Sequence, residues 1–554
     1  MIMTAMTKKN KSLDIWKVVS LVVLVSYLLF LIWPLLKLFI QAFFKQGQFT
    51  LEQFANFFNQ RYYVKSITNS LKVSSLATLL TLVIGIPLAY FYQMYEIRGK
   101  GLLQVIIILC SMSAPFIGAY SWIMLLGRSG VITNFIKELT GFVIPDIYGF
   151  NGILLVLALQ LFPLVFLYVS GALKNIDNSL LEASENMGCT GVKRFLTLII
   201  PLIMPTIIAA TLMVFMRAFA DFGTPLLIGE GYQTFPVVIY NAYFSETGAD
   251  RNFGAAVSII AIVITAVIFL IQRYVNSKFT FTMNAMNSIE RKPLTGIKAL
   301  FINFYCWFVV GLAFLPQVYV IYTSFLKTSG KLFVPGYSLE SYRLAFRNLR
   351  RAIPNTFSIG LTALIIVIIL AIIIAYLVVR RSNFVNRIID TLSMIPYIIP
   401  GSVVGIALVM AFSKKPIVLT GTVAIMVIAL VIRRIPYTIR SSVATLQQIP
   451  LSIEEAALSL GASKMKAFFG ITVPMMANGI LSGAIMSWVT IITELSTAII
   501  LYNLKTVTLT LAVYTYVSRG NYGIAAAYAT ILTLTTIISL LLYMFIAKTD
   551  EVSF

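Results

Sequence analysis

Long apolar runs, most of around twenty residues or more, are separated by short polar and basic segments along the whole chain. Within each run the apolar residues are continuous rather than placed at every second position, which indicates helices and not the strands of a membrane barrel. A helix rises about 1.5 Å per residue, so these runs are long enough to cross a hydrocarbon core of about 30 Å. The pattern predicts twelve membrane-spanning helices, near residues 15–43, 67–94, 102–127, 151–173, 198–219, 253–275, 297–325, 356–380, 386–412, 416–435, 471–493 and 523–547.

A polar and basic stretch, residues 276–298, separates the first six predicted spans from the last six. We interpret it as a cytoplasmic linker between a first transmembrane unit, residues 1–275, and a second, residues 299–554. Lysine and arginine concentrate in short cytoplasmic loops, and this bias is satisfied when both termini lie in the cytoplasm. The basic residues that support this orientation, besides the linker, are Arg98, Lys100, Lys174, Lys193, Arg194, Arg380, Arg381, Arg387, Arg433, Arg434, Arg440, Lys464 and Lys466.

One basic segment disagrees with this orientation. Residues 327–351 fall on the outer side, yet they include Lys327, Lys331, Arg343, Arg347, Arg350 and Arg351. The segment is either long enough to be translocated despite its charge or an amphipathic helix on the membrane surface.

The composition also indicates a bilayer as the solvent. Of the 554 residues 59% are hydrophobic and only 11% are charged, whereas a soluble domain carries about 25% charged residues. The net charge of +22 lies in small groups between apolar runs, so we expect contact with lipid and no nucleic-acid partner. Histidine is absent, and the three cysteines have no metal-like spacing, so the sequence indicates no histidine or cysteine metal site.

An internal repeat relates the two halves. Leu181 to Pro201 reads LEASENMGCTGVKRFLTLIIP, and Glu454 to Pro474 reads EEAALSLGASKMKAFFGITVP. The offset of 273 positions also relates several landmarks: Pro163 and Pro436, Ile176 and Ile449, Glu182 and Glu455, Gly188 and Gly461, and Asp221 and Glu494. Asn69 and Asn355, which open the second span of each half, differ by 286, so small insertions lie nearer the N-terminus. Two six-helix units in the same orientation predict a pseudo-two-fold axis along the membrane normal, with a pathway between the halves.

Both copied segments have the form Glu-Ala-Ala or Glu-Ala-Ser, three residues, Gly, and then apolar residues that end in Pro. This form resembles the EAA signature of type I ABC importer permeases. In that family the segment is a short cytoplasmic helix, a turn at the glycine and the entry into the next span at the proline, and the helix docks on an ATPase subunit. The alternative is a pair of interfacial amphipathic helices, which explains neither the fixed spacing nor the duplication.

The resemblance implies a role in ATPase coupling for two sets of residues. The first set lies in segment 176–201 and the second in segment 449–474; they are Glu182, Ala183, Ser184, Gly188 and Pro201, and Glu455, Ala456, Ala457, Gly461 and Pro474. The chain has no Gly-rich phosphate-binding loop ending in Gly-Lys-Ser/Thr. The resemblance therefore implies that this chain is no enzyme and binds no cofactor, that two copies of a separate ATPase hold ATP and Mg²⁺, and that an extracytoplasmic binding protein delivers the substrate.

Fused twelve-span permeases with this motif resemble the ferric-iron importer group. Its characteristic pieces here are Ala220-Asp221-Phe222-Gly223-Thr224-Pro225, Thr493-Glu494-Leu495-Ser496 and Arg433-Arg434-Ile435-Pro436-Tyr437. The resemblance implies ferric iron as the cargo, and related systems leave 2-aminoethylphosphonate or phosphate esters, polyamines and thiamine as alternatives. A location in the cytoplasmic membrane, with many passes, follows from the same resemblance.

Asp221 and Glu494 are candidates for a gate or a pathway. Each lies 20 residues beyond the proline of its segment, which is about 30 Å of helix, so both are expected near the outer mouth. Carboxylates at membrane depth are costly and usually functional. The structural alternative is an ion pair between Asp221 and Arg217, one helical turn away. The residue equivalent to Arg217 in the second half is Thr490, so Glu494 lacks that partner.

Two other protein classes fit the sequence less well. A secondary transporter also uses repeats, but it needs ionisable coupling residues within the membrane and has no need of two matched cytoplasmic segments. A membrane enzyme needs a clustered catalytic set, which this sequence, without histidine, does not show.

Overall fold

The computed structural model describes residues 15–244, 251–278, 287 and 289–547. The first half is helical apart from one short hairpin, β1 (Phe44–Lys45) and β2 (Gln48–Phe49). Its helices are α1 (Ile15–Tyr27), α2 (Trp33–Phe43), α3 (Glu52–Asn59), α4 (Arg61–Met94), α5 (Lys100–Met112), α6 (Pro115–Leu126), α7 (Val131–Thr140), α8 (Phe150–Lys174), α9 (Asn178–Asn186), α10 (Gly191–Arg194), α11 (Ile200–Ala220), α12 (Gly223–Ile228), α13 (Phe235–Phe244) and α14 (Arg251–Lys278).

The second half repeats this order, with the hairpin β3 (Leu326–Ser329) and β4 (Leu332–Tyr337). Its helices are α15 (Gly296–Ser324), α16 (Glu340–Asn348), α17 (Ala352–Arg380), α18 (Phe384–Ile398), α19 (Gly401–Phe412), α20 (Val423–Gln448), α21 (Leu451–Ser459), α22 (Lys464–Ala467), α23 (Val473–Met475), α24 (Ala477–Ile492), α25 (Ala498–Leu501), α26 (Leu509–Ser518) and α27 (Tyr522–Ala547). Short π-helical turns occupy Leu28–Ile32, Phe195–Ile199 and Phe468–Thr472.

The predicted all-α membrane fold is confirmed, with differences in the spans. Among the described residues, nine helices are long and apolar enough to cross a membrane, and two bent pairs raise the number to eleven. The predicted span 386–412 is such a pair, because the chain turns by 112° between α18 and α19 at Pro400 and Gly401. The predicted span 416–435 is displaced to α20, which is 26 residues long but carries Arg433, Arg434 and Arg440.

The structure reproduces the offset of 273 positions element by element. It relates α9 to α21, α10 to α22, and the π-helical turn Phe195–Ile199 to the turn Phe468–Thr472. Such turns are rare and occur mostly at functional places in helices. Their matched positions show that the repeat extends to local backbone geometry.

Each half is completed by the first helix of the other half. Trp16 of α1 packs on Tyr376 and Phe468, with ring centroids 4.5 and 5.1 Å apart. On the opposite side, Tyr305 of α15 packs on Phe91 of α4 with centroids 5.7 Å apart. Two hydrophobic cores result, and each contains buried residues from both halves of the sequence. The halves are therefore interlocked rather than merely adjacent.

The basic segment 327–351 is a hairpin followed by a short helix. Strands β3 and β4 pair in antiparallel fashion, and α16 follows them before α17 begins at Ala352. The first half has the same order in β1, β2 and α3. The segment therefore forms a hairpin and one short helix, Glu340–Asn348, between the spans α15 and α17.

Candidate functional site

Two matched helix–turn–helix elements stand out in the positions that the repeat predicts. We call α9 with α10 the first elbow and α21 with α22 the second elbow. In the first, Gly188 has φ +73° and its N–H donates to the Glu185 carbonyl at 2.9 Å. In the second, Gly461 has φ +87° and its N–H donates to the Leu458 carbonyl at 3.0 Å. Both helices thus end in a left-handed residue, the conformation that glycine adopts without strain.

The following residue closes each turn. The Cys189 N–H donates to the Ser184 carbonyl at 2.8 Å, and the Ala462 N–H donates to the Ala457 carbonyl at 3.0 Å. These six-to-one bonds satisfy carbonyls that the helix end would leave without partners. A Cβ atom on either glycine would meet no atom within 4 Å, so the requirement for glycine comes from the backbone alone.

The first elbow is fastened by an apolar side chain and by ion pairs of Glu185. Leu181 is buried in the core of the first half. Glu185 accepts hydrogen bonds from Lys292 at 2.7 Å and from Arg194 at 3.2 Å. These two cations, Lys292 most strongly, hold the pKa of the Glu185 carboxyl below its usual value.

The described part of the linker lies against the first elbow. The Asn178 N–H donates to the Asn287 carbonyl at 3.2 Å, and the Asn287 N–H donates to the Asp177 carboxylate at 3.2 Å. Lys292 also donates from its backbone to the Met94 carbonyl at 2.9 Å. Residues 279–286 and 288 of the predicted linker lie outside the described residues.

The second elbow is fastened by a buried ion pair. Glu454 accepts a hydrogen bond from the Arg380 Nε at 2.9 Å, and both side chains are only 9% exposed. Arg380 also donates to the Ile449 carbonyl at 2.6 Å, just before α21. Glu454 occupies the position of Leu181 in the repeat. Sequence reasoning missed this role, although an acid at the position of a leucine was the available signal.

An aromatic pair joins each elbow to the second span of its half. The rings of Tyr90 and Phe195 have centroids 4.7 Å apart, and those of Tyr376 and Phe468 lie 4.8 Å apart. The tyrosines are related by the offset of 286 and the phenylalanines by the offset of 273. Sequence reasoning missed this pair as well, because neither offset alone connects the two positions. It gives each elbow a direct side-chain contact with α4 or α17.

The outer faces of the elbows carry most of the predicted coupling residues. Glu182, Ala183, Glu455 and Ala456 are exposed, whereas Ala457 is buried and the half-buried Ser184 hydroxyl donates to the Leu181 carbonyl at 2.8 Å. At the tips, Met187 is 85% exposed and Leu460 is 90% exposed. These two apolar residues are also separated by 273 positions. Large apolar side chains exposed at matched places are typical of a contact surface.

The two predicted prolines are not the first residues of their spans. The spans begin at Gly191 and Lys464, ten residues before Pro201 and Pro474. A π-helical turn precedes each proline. Since proline lacks the N–H of a regular helical bond, the widened turn accommodates it within a helix that has already begun. Each proline therefore lies in the first turn of regular α-helix after the π-helical turn, as expected, while the span itself starts ten residues earlier.

Asp221 and Glu494 have the same local position in the two halves. The Thr224 N–H donates to Asp221 at 2.9 Å, and the Thr497 N–H donates to Glu494 at 3.0 Å. Each carboxylate follows the end of a long helix and caps the turn that comes next. The structure thus assigns both acids a capping contact, and their role in a gate stays a prediction.

The ion pairs around these acids are the reverse of the expectation. No ion pair joins Arg217 to Asp221 among the described residues. Glu494 is buried and pairs instead with two arginines: it accepts a hydrogen bond from Arg434 and lies 3.7 Å from the Arg433 guanidinium. Both arginines were expected in a cytoplasmic loop. Since α20 extends from Val423 to Gln448, they lie inside a helix, and its exposed basic residue is Arg440.

The described residues contain no group of three or more cysteine, aspartate or glutamate side chains able to hold a metal ion. Asp221 and Glu494 therefore do not belong to a larger carboxylate cluster. Arg433 and Arg434 already neutralise the Glu494 carboxylate, so it is not free to bind a cation.

One family model matches the chain twice. The model is described as "Binding-protein-dependent transport system inner membrane component", and it matches residues 81–281 and 345–549. Together the two matches cover most of the chain, and each includes one elbow.

Two curated relatives named for ferric transport match most of the chain. The ferric transport system permease protein FbpB of Actinobacillus pleuropneumoniae is 28% identical over 530 residues, which are 93% of this chain and 75% of the relative. The putative ferric transport system permease protein FbpB 1 of Haemophilus influenzae is 29% identical over 497 residues, 86% of this chain and 76% of the relative. One chain of a solved bacterial ABC transporter that imports the polysaccharide alginate is 18% identical to this chain, with a TM-score of 0.41. The match covers 48% of this chain and 96% of the solved chain.

Proposed function

This chain belongs to the family of binding-protein-dependent transport system inner membrane components, and from this premise we propose that it imports ferric iron with energy from separate ATPase subunits. It is a multi-pass permease subunit of the inner membrane, with both family repeats in one polypeptide. Membership of this family removes the secondary-transporter alternative. The chain carries no ATPase loop of its own, so hydrolysis belongs to partner subunits.

The proposed cargo rests on the extent of the similarity to ferric permeases. Two relatives named for ferric transport align with 93% and 86% of this chain, through both repeats and the linker region. Ferric iron is therefore the cargo that the comparisons support best.

The proposed site of ATPase docking is the pair of elbows, and the single observation that carries it is their duplicated surface. Two identical ATPase subunits need two equivalent contacts on one chain. The chain offers Met187 and Leu460 at equivalent tips, each immediately before the left-handed glycine of a turn with the same geometry. We place both elbows and both termini in the cytoplasm, with ATP and Mg²⁺ on the partner and the binding protein on the outer side.

The interlocked cores indicate how a movement at the elbows reaches the pathway. Each elbow continues into a span, α11 or α24, whose end carries Asp221 or Glu494. Closure of the ATPase pair would bring the elbows together and rotate the halves as rigid bodies, as in other two-state switches. The pathway then opens alternately to the two sides of the membrane.

Reconstitution tests the proposal. The permease is placed in proteoliposomes with its ATPase and with the binding protein loaded with radiolabelled ferric iron. We expect iron uptake that requires ATP and the binding protein together. Met187→Glu and Leu460→Glu should release the ATPase, which co-purification measures, while Leu332→Glu, an exposed apolar residue of the hairpin β3–β4 outside both elbows, is the matched control. Full ATPase retention in the Met187 and Leu460 variants would contradict the docking site.

A second candidate cargo is a phosphonate or phosphate ester, taken up by the same machinery. It is favoured by the arginines at the interface of the halves, since guanidinium groups bind phosphate oxygens well. Uptake of radiolabelled 2-aminoethylphosphonate in the same proteoliposomes, in place of iron, would establish it.

A further inference from the structure

Three arginines meet between the two halves around one tyrosine. Arg217 comes from α11 of the first half, and Arg433 and Arg434 come from α20 of the second. All three lie within electrostatic range of the Tyr437 hydroxyl. Arg217 also lies close to Tyr168 and Tyr397, and the rings of Tyr397 and Tyr437 have centroids 5.9 Å apart. We call Arg217, Arg433, Arg434, Glu494 and Tyr437 the arginine centre.

Positive charge exceeds negative charge in the arginine centre. Glu494 is its one carboxylate, and it is shared by Arg433 and Arg434. Asp221 lies one helical turn beyond Arg217, but its carboxylate accepts from the Thr224 N–H and forms no ion pair among the described residues. Even with Asp221 included, three guanidinium groups face two carboxylates.

The geometry of the Glu494 side is fixed from several directions. The Ser496 hydroxyl donates to Glu494 at 2.6 Å, and the Thr497 hydroxyl donates to the Gly401 carbonyl at 3.0 Å. A Cβ on Gly401 would clash with the Ser496 hydroxyl and would lie 2.7 Å from the Arg433 guanidinium. The sharp turn between α18 and α19 therefore fits closely over this part of the arginine centre, and holds it in place.

The arginine centre keeps donor capacity unused. The Nε atoms of Arg433 and Arg434 are buried and have no hydrogen-bond partner among the described residues. The two side chains nevertheless remain 14% and 13% exposed, and Tyr168 is 37% exposed. Guanidinium groups that are fixed, partly accessible and short of acceptors are suited to bind an oxyanion.

An excess of positive charge at membrane depth opposes the passage of a cation. A bare trivalent ion or a polyamine would meet this field between the halves with little water to screen it. An anion would be attracted, and the shared Glu494 keeps the attraction moderate, as conduction requires release after binding.

We infer that the species which passes between the halves is anionic, with phosphate or carboxylate oxygens that contact Arg217, Arg433 and Arg434. The inference rests on the proposed function when the cargo is iron: Fe³⁺ then crosses as a complex whose oxyanion ligands exceed its charge. The same centre would accept a phosphate or phosphonate compound without iron.

Double-label uptake tests the inference. Proteoliposomes with the complete importer receive binding protein loaded with radiolabelled iron and either radiolabelled phosphate or radiolabelled citrate. We expect the anion to enter together with the iron. Arg217→Gln should lower uptake about tenfold or more, the effect of losing one charged hydrogen-bond donor. Arg217→Lys should retain a substantial part of it, and Arg440→Gln, which removes a charge from the exposed end of α20, is the control.

The outcomes separate the inference from the proposed cargo. Iron that enters without either anion, or an Arg217→Gln variant that folds and transports as the wild type does, would overturn the inference and leave the ferric importer intact. Uptake of an oxyanion without iron would reject iron as the cargo and support the inference. Absence of both kinds of uptake in the wild type would reject both. Retention of the ATPase on purification shows that each variant is folded.

Discussion

The two elbows have the same backbone but different fastenings. In the first, a buried leucine, the exposed Lys292 and the buried Arg194 hold α9, and the linker lies against it. In the second, a buried ion pair between Glu454 and Arg380 holds α21. The left-handed glycine, the six-to-one hydrogen bond and the aromatic pair are common to both. These shared features are the ones that the proposed docking of one kind of ATPase on both elbows requires.

A similar contrast exists at the far ends of the spans that follow the elbows. Asp221 and Glu494 make the same capping contact, but only Glu494 is paired with arginines. Repeats in one chain are free to diverge where each position serves a single structure. They stay alike where a partner must recognise both.

The largest difference between the halves should follow removal of these two charges. Glu494→Gln leaves Arg433 and Arg434 without their carboxylate, and breaking a buried pair costs about 3–5 kcal/mol. Asp221→Asn should cost under about 1 kcal/mol, because asparagine caps a helix as well as aspartate does. Thermal unfolding of the two purified variants measures this, and equal losses would show that the two sites are energetically equivalent.

The next largest effect should come from giving the second elbow the fastening of the first. Glu454→Leu places the residue of the first half against Arg380 and should destabilise the protein by about 3 kcal/mol, because the arginine remains buried without a charge partner. The double variant with Arg380→Met, the residue at the equivalent position Met94, should recover most of the loss. Unfolding in denaturant measures all three proteins. A double variant no better than the single one would mean that the fastenings are not interchangeable.

The shared turn should be equally sensitive in both elbows. Gly188→Val and Gly461→Val force a β-branched residue into the left-handed conformation, at a cost of about 1–2 kcal/mol. We expect uptake to fall by about fivefold or more, the population change that corresponds to 1 kcal/mol. Gly188→Asn and Gly461→Asn should keep most of it, since asparagine tolerates this conformation. If only one position is sensitive, the elbows do not act as a matched pair.

The smallest effect should be a pH dependence confined to the first elbow. Lys292 and Arg194 lower the pKa of Glu185. The stabilisation from these ion pairs is therefore complete above the ordinary glutamate pKa of about 4.3. This stabilisation should be lost as the pH falls through the lowered pKa of Glu185. Hydrogen exchange at residues 287 and 289–292 should accelerate in that pH range, and in the Glu185→Gln variant these residues should exchange quickly at every pH. The second elbow has Leu458 at this position and serves as the internal control.

The repeat could be predicted from the sequence because side chains with strong backbone preferences fix it. Gly188, Gly461 and the prolines of the two segments stand at one constant offset, and the structure confirms equivalent elements around them. The membrane fold was predictable for a similar reason, since long apolar runs have few alternatives in lipid.

The fastenings and the ion pairs could not be predicted in the same way. Arg433 and Arg434 resemble the basic pairs of cytoplasmic loops, and only the full length of α20 places them against Glu494. A glutamate in the first turn of a helix, such as Glu454, is usually exposed. Its burial here depends on the ion pair with Arg380, which is distant in sequence. A sharp turn such as that at Pro400 and Gly401 also divides one apolar run into two helices.

The exchange of first helices has a consequence for biogenesis. Trp16 packs on Tyr376, which the ribosome adds some 360 residues later. Until that part of the second half is inserted, the Trp16 side of α1 contacts only lipid or an insertion factor. The first helix to be made therefore reaches its packing partner only when the second half has been synthesised. A chain that stalls after the linker would leave α1 in the membrane without this partner.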